Sequence, residues 1–147
     1  MTYVLVTGGA GYIGSHTIVE LLGQGHEVCA VDNFDNSSPL VLDRIRELTN
    51  RDFTFHRADI RDTAAMTAIL GDFAADAVIH FAGLKAVGES ETQPLRYFDV
   101  NNGGTVSLLQ AMESTGCRRI VFSSSATVYG EPQYLPFDEN HPCVPTN

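Results

Sequence analysis

Four glycines near the start of the chain, Gly8, Gly9, Gly11 and Gly14, have the spacing of a loop that holds a phosphate. They satisfy G-x-G-x-x-G from Gly9 and the looser G-x-x-G-x-x-G from Gly8. In such loops one glycine makes a tight turn, a second admits backbone close to a pyrophosphate, and a third lets the helix pack against the strand. The helix amides and dipole then attract the phosphates. Ordinary glycine turns share this pattern, so its context decides.

The context favours a dinucleotide site, because a strand precedes the glycines and a helix follows them. Residues 3–6 are apolar and β-branched, which predicts a buried strand. The helix is predicted to end near Gly23 or Gly25. Its apolar stripe comprises Ile13, Ile18, Leu21 and Leu22.

Asp32 ends the second apolar run, 24 residues after Gly8. A carboxylate at this spacing accepts hydrogen bonds from the adenosine ribose and repels a 2′-phosphate, which indicates NAD rather than NADP. The alternative is an aspartate that caps its own loop. Asn33, Asn36 and Ser37 offer further contacts to the same ribose, although each is also a common turn residue.

Two more loops follow predicted strands at the same edge of the sheet. After the third strand, the Asp59 carboxylate would receive the adenine amino group and Ile60 would pack on the ring, or Asp59 would cap a helix. After the fourth strand, Ala82 and Gly83 would admit backbone close to the cofactor. Lys85 in the same loop would pair with the cofactor or with Asp32, or would be a solvated loop lysine.

Three residues inside a predicted long helix, Asn101, Gly103 and Gly104, are candidates for close approach to a neighbour or ligand. Each glycine inside a helix costs about 1 kcal/mol relative to alanine, so a contact is expected in return. Plain helix packing and cofactor contact both remain open. His80 is predicted to be a satisfied core histidine, and the five histidines lack metal-ligand spacing, which indicates no metal site.

Three serines, Ser123, Ser124 and Ser125, leave the fifth predicted strand at the same crevice. A hydroxyl there would bond a substrate alcohol undergoing oxidation, whereas the alternative is a strand-ending turn. No histidine–acid pair is placed to make a serine nucleophilic, which excludes a hydrolase. Tyr129 is interpreted as packing rather than as a proton carrier.

A parallel sheet is needed to bring these residues together. Strands are predicted at 3–6, 28–31, 53–55, 77–81 and 120–122, and helices between them. The alternation and the continuous apolar strands predict an α/β fold, a doubly wound parallel sheet covered on both faces. Right-handed crossovers give the order 3-2-1-4-5 with a crevice between strands one and four. Further expectations are a helix with Val41, Leu42, Ile45 and Leu48, a helix capped by Asp62, a loop over 82–91, a long helix from Pro94 to Met112, and loop after Tyr129.

Composition limits the class of protein. The 147 residues, 44 % hydrophobic, are enough for one domain with a core. A formal net charge of −9 argues against nucleic acid or an anionic membrane as a partner, because both need a basic face. Cys29, Cys117 and Cys143 are scattered and odd in number, which indicates a reducing compartment. Without a signal segment or an apolar run of about 18 residues, a cytoplasmic, non-membrane protein is expected.

Residues 7–15, Asp32, the loop at 81–90 and residues 123–130 together resemble the UDP-galactose 4-epimerase family of extended short-chain dehydrogenases/reductases, over the whole chain. The most specific piece is Phe-Ala-Gly-Leu-Lys-Ala-Val-Gly-Glu-Ser at 81–90, since the glycine pattern is shared by the superfamily.

The resemblance implies a Rossmann fold with bound NAD and interconversion of UDP-galactose and UDP-glucose. In the family a tyrosine removes the proton of the sugar's 4-hydroxyl while hydride passes from carbon 4 to NAD, and the ketone takes hydride back on its other face. Ser125 would bond the 4-hydroxyl, and the full-length protein would be a homodimer that pairs through a helix at 94–114. The residues implied to hold NAD are Gly8, Gly11, Tyr12, Ile13, Gly14, Asp32, Asn33, Asn36, Ser37, Asp59, Ile60, Phe81, Ala82, Gly83, Lys85 and Asn101.

Two departures from the family's pattern qualify this. The catalytic Tyr-x-x-x-Lys, in which lysine lowers the tyrosine pKa, lies in the family just beyond a proline-rich loop like that at 132–145 and is absent here. Residues 1–147 are therefore expected to be an incomplete NAD-binding domain, truncated before the remaining strands and the sugar-binding domain, which binds NAD without turnover. An extra Gly103 precedes the expected Gly104, which leaves the asparagine contact open.

Other functions remain as alternatives. A nucleotide-sugar dehydratase of the same family has Asp-Glu where Ala126 and Thr127 stand here. A decarboxylase or a reductase acting on a nucleotide sugar is a second alternative, and a non-catalytic NAD-binding module is a third. The truncated sheet would otherwise misfold or associate through the edge of its fifth strand.

Overall fold

Five parallel strands form one sheet in the predicted order β3-β2-β1-β4-β5. The computed structural model describes residues 1–146. The strands are β1 (Tyr3–Thr7), β2 (Glu27–Asp32), β3 (Thr54–Arg57), β4 (Ala77–His80) and β5 (Ile120–Phe122). The helices are α1 (Tyr12–Gly23), α2 (Leu40–Thr49), α3 (Thr63–Phe73), α4 (Val87–Thr92), α5 (Pro94–Tyr97) and α6 (Gly104–Thr115). A π-helical turn (Phe98–Gly103) joins α5 to α6, and a 3₁₀ turn covers Ala126–Tyr129.

The core lies on both faces of the central strands, because successive strand residues point to opposite sides. Leu5 packs on one face with side chains of α3 and α6, including Met66 and Leu108. Val4 and Val6 pack on the other face with side chains of α1 and α2. The prediction of a doubly wound α/β sheet is therefore confirmed around β1.

The edge strand β5 is an exception to the prediction that the sheet is covered on both faces. Ile120, Val121 and Phe122 are 37 %, 62 % and 58 % exposed. β5 pairs only with β4, and residues 123–146 contain no α-helix or strand that could cover it. An apolar strand is thus left open to solvent at one end of the sheet.

The first helix begins and ends close to its predicted bounds but buries fewer of its apolar residues. Ile18 and Leu22 are buried, whereas Ile13 is 46 % exposed. Ile13 precedes Ile18 by five residues, which places it about 140° around the helix from the buried stripe. Likewise α2 buries Leu42 and Ile45 and leaves Leu48 in its last turn exposed.

The second half of the loop predicted over 82–91 is instead part of the short helix α4 (Val87–Thr92). Contacts from α5 stabilise it, because Arg96 donates to Glu89 at 2.8 Å and the Tyr97 hydroxyl donates to the same carboxylate at 2.7 Å. Such a short helix depends on tertiary contacts that a local pattern does not reveal.

The predicted long helix from Pro94 is present, with a π-helical turn inside it. Pro94 occupies the first helical turn, where its missing N–H costs nothing. A π turn closes its hydrogen bond over one more residue than an α turn. Gly103 is the last residue of this turn.

No helix among residues 1–146 combines the length and the apolar character needed to cross a membrane.

Candidate functional site

A cavity of about 390 Å³ opens at the carboxyl ends of β1, β2 and β4, within the range of small-molecule sites. Three of the predicted cofactor residues, Gly14, Ser37 and Asn101, do not line it. The predicted residues that line it are Gly8, Gly11, Tyr12, Ile13, Asp32, Asn33, Asn36, Asp59, Ile60, Phe81, Ala82, Gly83 and Lys85.

The glycine loop is shaped by close backbone approaches. Gly8 has φ +67°, and a Cβ there would lie 2.7 Å from the Ala82 nitrogen. A Cβ at Gly14 would overlap the Gly8 carbonyl oxygen. Gly14 therefore packs against the loop itself, whereas Gly9, whose added Cβ would lie 2.8 Å from Ala30 Cβ, approaches the neighbouring strand. The expected role of the third glycine thus belongs to Gly9.

Helix α1 begins at this loop with its first amides uncapped. Gly11 at the N-cap has no side chain, and the first turn holds no acidic residue. The amides of an α-helix's first turn lack intrahelical acceptors. Together with the helix dipole they form a place for an anion.

Asp32 lies beside this helix start and is 8 % exposed. Its Oδ2 accepts from Ala10 N at 3.0 Å, and its Oδ1 accepts from Phe34 N at 2.9 Å and from Ser37 Oγ at 2.8 Å. Phe34 has φ +63°, uncommon for a bulky residue. Asp32 thus caps its own loop, as the alternative interpretation has it. It also lines the cavity, and its contact with a ribose stays a prediction.

Asp59 is held by a different set of donors. Arg61 donates to it from its backbone and guanidinium at 2.7 to 2.9 Å, and Asn33 Nδ2 donates at 3.0 Å. The hydrogen bond from Arg61 holds the pKa of Asp59 well below its usual range. Asp62 caps α3 by accepting from Ala65 N, so the helix-cap interpretation of Asp59 is wrong. Four donors occupy all the lone pairs of a carboxylate, which leaves none for an adenine amino group in this arrangement.

Two arginines connect loops at the first cavity with residues 87–103, which comprise α4, α5 and the π-helical turn. Sequence analysis did not indicate either arginine. Arg96 joins Asp35 at 2.7 Å, 61 residues away, and Arg61 joins Asp99 at 2.6 Å, 38 residues away. These partners are too far apart along the chain for any local pattern to predict them. The pairs are partly exposed, so each contributes at most about 1 kcal/mol.

Lys85 is exposed and lines both this cavity and a second one. It forms no salt bridge within the described part of the chain, so the pairing with Asp32 does not occur. The oxygens of Asp32 are already engaged by donors from its own loop and from Ala10.

A second cavity, of about 620 Å³, lies between the segment 81–87 and the end of β5. Ser123, Ser124 and Ser125 all line it. The Ser125 hydroxyl is 2.8 Å from Thr127 Oγ1 and accepts from Thr127 N at 3.3 Å. Ser125 therefore caps the start of the 3₁₀ turn that follows it and also lines the cavity. Tyr129 stacks on Phe137 with ring centroids 4.8 Å apart, in agreement with a packing role.

His80 is a satisfied core histidine, as predicted. It is 1 % exposed, its Nδ1 is 2.6 Å from Thr7 Oγ1, and its Nε2 is 3.1 Å from Thr105 Oγ1. Burial lowers the pKa of His80 to about 4. Across residues 1–146 no group of three or more His, Cys, Asp or Glu side chains is arranged to hold a metal ion.

The three candidates in the predicted long helix, Asn101, Gly103 and Gly104, have different roles in the structure. A Cβ at Gly104 would lie 2.5 Å from Ile60 Cδ1, whereas one at Gly103 would meet nothing closer than 3.5 Å. Gly104 therefore serves helix packing. Asn101 accepts from Leu84 N at 2.8 Å and donates to Leu84 O at 3.0 Å, which pins the loop after β4.

Comparisons with known proteins identify the family of the chain. The family model described as GDP-mannose 4,6 dehydratase matches residues 5–147. UDP-glucose 4-epimerase of Klebsiella pneumoniae is 55 % identical over 137 residues, which are 93 % of this chain and 99 % of that protein. The chain belongs to the UDP-glucose 4-epimerase family. Another member, from Bacillus subtilis (strain 168), is 54 % identical over 144 residues, 98 % of this chain and 42 % of that protein.

Solved structures of the family have the same fold. The Stenotrophomonas maltophila epimerase, with bound NAD and formylated UDP-arabinopyranose, has a TM-score of 0.95 and 51 % identity over 98 % of this chain and 43 % of its own. The Bifidobacterium longum epimerase, in complex with NAD+ and UDP, has a TM-score of 0.94 and 48 % identity over 97 % of this chain and 43 % of its own. The chain spans less than half the length of most of these relatives.

Proposed function

We propose that this chain forms the NAD-binding part of a UDP-glucose 4-epimerase, which epimerises carbon 4 of a UDP-hexose through a transient 4-keto sugar. The observation that carries the proposal is one cavity in which the uncapped start of α1 faces a buried carboxylate, Asp32. An anionic pyrophosphate with a ribose attached fits that pair of features. The relatives solved with NAD give independent support.

The residues of the cavity fit NAD at each part of the molecule. The amides of Tyr12 and Ile13 would hold the pyrophosphate, since neither a capping side chain nor an acidic residue competes there. Gly11 lines the cavity beside them, and its own amide donates to Gly8 O at 3.0 Å. The unused lone pair of Asp32, with Asn33 and the Asn36 and Ser37 loop, would hold the adenosine ribose. Contact of Asp59 with adenine would require Asn33 or Arg61 to release the carboxylate, while Ile60 is already at the cavity wall.

Toward the second cavity, the segment Phe81–Lys85 would meet the nicotinamide half of the cofactor, which accepts and returns the hydride when bound. Ser125 would bond the sugar's 4-hydroxyl, because its hydroxyl lines that cavity and its present partner is only the neighbouring Thr127. Lys85 is the chain's only lysine, and Phe81 stands four residues before it. No Tyr-x-x-x-Lys is therefore available among the 147 residues, and we propose that this chain by itself binds NAD without turnover.

Calorimetric titration of the chain with NAD tests the binding part of the proposal. We expect saturable binding that Asp32→Ala weakens at least about tenfold, since the substitution removes a charged acceptor from the cavity. Asp43→Ala is the matched control, because Asp43 is an exposed carboxylate of α2 whose only ionic contact is to Arg46. Equal affinities of the two variants, or no binding by the unaltered chain, would refute the proposed cofactor role.

Turnover of UDP-galactose tests the second part. We expect none from the chain alone, and turnover when the C-terminal portion of a longer relative such as the Bacillus subtilis epimerase is added. Epimerisation by the chain alone would refute the proposed dependence on a missing tyrosine and lysine.

A non-catalytic NAD-binding module is the second candidate, because the family's proton-transfer pair is absent. NAD binding that no added C-terminal portion converts into turnover would favour it. A dehydratase is disfavoured by the residues after Ser125, where Ala126 and Thr127 supply neither acid nor base, although the matched family model carries a dehydratase description.

We propose further that the longer protein pairs as a homodimer through the α5–α6 segment. Four apolar side chains of this segment are exposed, which is typical of an interaction surface. They are Leu95, Phe98, Val106 and Leu109, at 82 %, 64 %, 55 % and 44 % exposure. Sedimentation of the longer protein carrying Leu95→Glu and Val106→Glu should show monomers if this surface pairs, and dimers if it does not.

A further inference from the structure

A chain of side-chain hydrogen bonds begins and ends on the same three-residue segment, Ala82–Leu84. Thr7 Oγ1 accepts from Ala82 N at 3.3 Å and lies 2.6 Å from His80 Nδ1. His80 Nε2 lies 3.1 Å from Thr105 Oγ1. The Thr105 hydroxyl donates to the Asn101 carbonyl at 2.6 Å, and the Asn101 side chain grips both backbone groups of Leu84.

The hydrogen atoms of this network can be placed in only one consistent order. The Thr105 hydroxyl gives its hydrogen to a carbonyl oxygen, which can only accept. Thr105 must therefore accept from His80, so His80 carries its hydrogen on Nε2. His80 Nδ1 is then the acceptor for the Thr7 hydroxyl, whose oxygen accepts from Ala82 N.

A second proton on His80 would disrupt this order. An Nδ1–H would face the Thr7 hydroxyl, which would have to turn its own hydrogen away and give up its role as donor. The ring is 1 % exposed, its two nitrogens bond to threonine hydroxyls, and it packs on the Phe122 ring at 5.5 Å between centroids. No carboxylate among these contacts would compensate the added charge, and burial accordingly lowers the pKa of His80.

The segment that the network holds has little freedom to move. A Cβ on Gly8 would lie 2.7 Å from Ala82 N on one side, and a Cβ on Gly83 would lie 3.1 Å from Asn101 Oδ1 on the other. The same three residues line both cavities. A shift of the network would therefore move the wall between the two cavities.

We propose that His80 is a positioning residue, which holds the Ala82–Leu84 backbone in place for the dinucleotide through its neutral, Nε2-protonated tautomer. The inference rests on the proposed NAD site and assigns His80 no contact with the cofactor. The buried His80 ring has no part in the proposed reaction, and this inference assigns it a role in cofactor affinity.

Substitution of Thr105 tests the inference. Thr105→Val removes the acceptor of His80 Nε2–H and should weaken NAD binding about tenfold, equivalent to about 1.4 kcal/mol. Thr105→Ser restores the hydroxyl and should restore the affinity. Thr115→Val is the matched control, because Thr115 lies in the same helix and also donates to the carbonyl four residues before it, without a histidine partner. Calorimetry with NAD gives the affinities, and thermal unfolding reports any general loss of structure.

The outcomes separate this inference from the proposed function. If the unaltered chain does not bind NAD, the proposed function fails. If it binds and Thr105→Val binds equally well, or if Thr115→Val weakens binding as much, the positioning role is overturned. Should Thr105→Val not fold, ¹⁵N NMR of the His80 ring in the unaltered protein decides, since a signal of a charged or Nδ1-protonated ring at pH 7 would contradict the proposed tautomer.

Discussion

The two cavities differ in how their polar side chains are held. Around the first cavity, Asp32 and Asp59 accept seven hydrogen bonds, three and four respectively, from residues on several loops. Beside the second, the Ser125 hydroxyl bonds only to Thr127 among residues 1–146, within its own turn, and the adjacent strand β5 is exposed.

The Asp32 and Asp59 carboxylates of the first cavity are thus preorganised, whereas the Ser125 hydroxyl of the second is available for new hydrogen bonds. The first cavity is shaped by contacts among the chain's own residues, so its geometry should persist in the isolated chain. The Ser125 hydroxyl of the second cavity is held only by its neighbour Thr127 among the described residues, and Phe122, which also lines that cavity, belongs to an exposed edge strand of three residues. We therefore expect the isolated chain to bind the proposed cofactor even though it lacks the proposed chemistry.

The largest effect is expected at the first cavity from Gly14→Ala. Because the added Cβ would overlap the backbone carbonyl of Gly8, the loop must shift, and we expect a loss of about 3 kcal/mol in the free energy of unfolding and of detectable NAD binding. Gly23→Ala in the same helix meets nothing within 4 Å and should be neutral or stabilising. Chemical denaturation compares the two, and equal stabilities would show that the loop tolerates the side chain.

Protonation of His80, next to the segment between the two cavities, should make the stability of the fold depend on pH. The pKa of His80 falls from 6.5 to about 4 on folding, so between these values the unfolded state binds more protons and stability rises with pH. We expect the free energy of unfolding to drop by about 3 kcal/mol as the pH falls from 6.5 to 4. Denaturation of His80→Gln should show a shallower dependence in this window. A parallel dependence would exclude His80 as its source, since Asp59, whose pKa is lowered, loses its contribution only below about pH 3.8.

Alanine substitutions at the neighbouring glycines Gly103 and Gly104 should have smaller effects on stability, of opposite sign. Gly104→Ala should destabilise the fold by about 1 kcal/mol, because its Cβ would press on Ile60 at the first cavity. Gly103→Ala has room and should stabilise by up to about 1 kcal/mol through helix propensity. Thermal unfolding of both variants measures the difference, and equal shifts of the same sign would contradict a packing role for Gly104.

The smallest effect is expected at the second cavity. Ser125→Ala removes a hydroxyl that bonds only within its turn, so stability should change by no more than about 0.5 kcal/mol and NAD affinity by less than about twofold. Calorimetry and thermal unfolding test this directly. A large loss of NAD affinity would show that the second cavity is already coupled to the first.

Local sequence patterns predicted the features that depend on local chemistry. The glycine loop, the strand-end Asp32, the Asp62 cap and the strand order each follow from a short motif or from the alternation of strands and helices. Backbone conformation and hydrophobic period act over a few residues, so a single chain carries their signals in full.

Features made by distant residues could not be predicted in this way. The bridges from Arg61 and Arg96 join loops 38 and 61 residues away, and α4 depends on side chains of α5. The open edge of β5 was among the expectations for a truncated sheet, but the exposure of its faces could not be predicted, because an apolar run is the same whether or not anything covers it. The ordered network of His80 had one visible sign, a histidine at the end of an otherwise apolar strand, but its partners lie on other elements.

Lys85 lines both cavities and is therefore a suitable position for a fluorescent label. Since it is the chain's only lysine and is exposed, an amine-reactive fluorophore would attach there and otherwise only at the α-amino group. The lower basicity of the α-amino group allows that second site to be blocked first near neutral pH. Because Lys85 lines both cavities, a change in the fluorescence of a single dye there would test whether a ligand enters either of them.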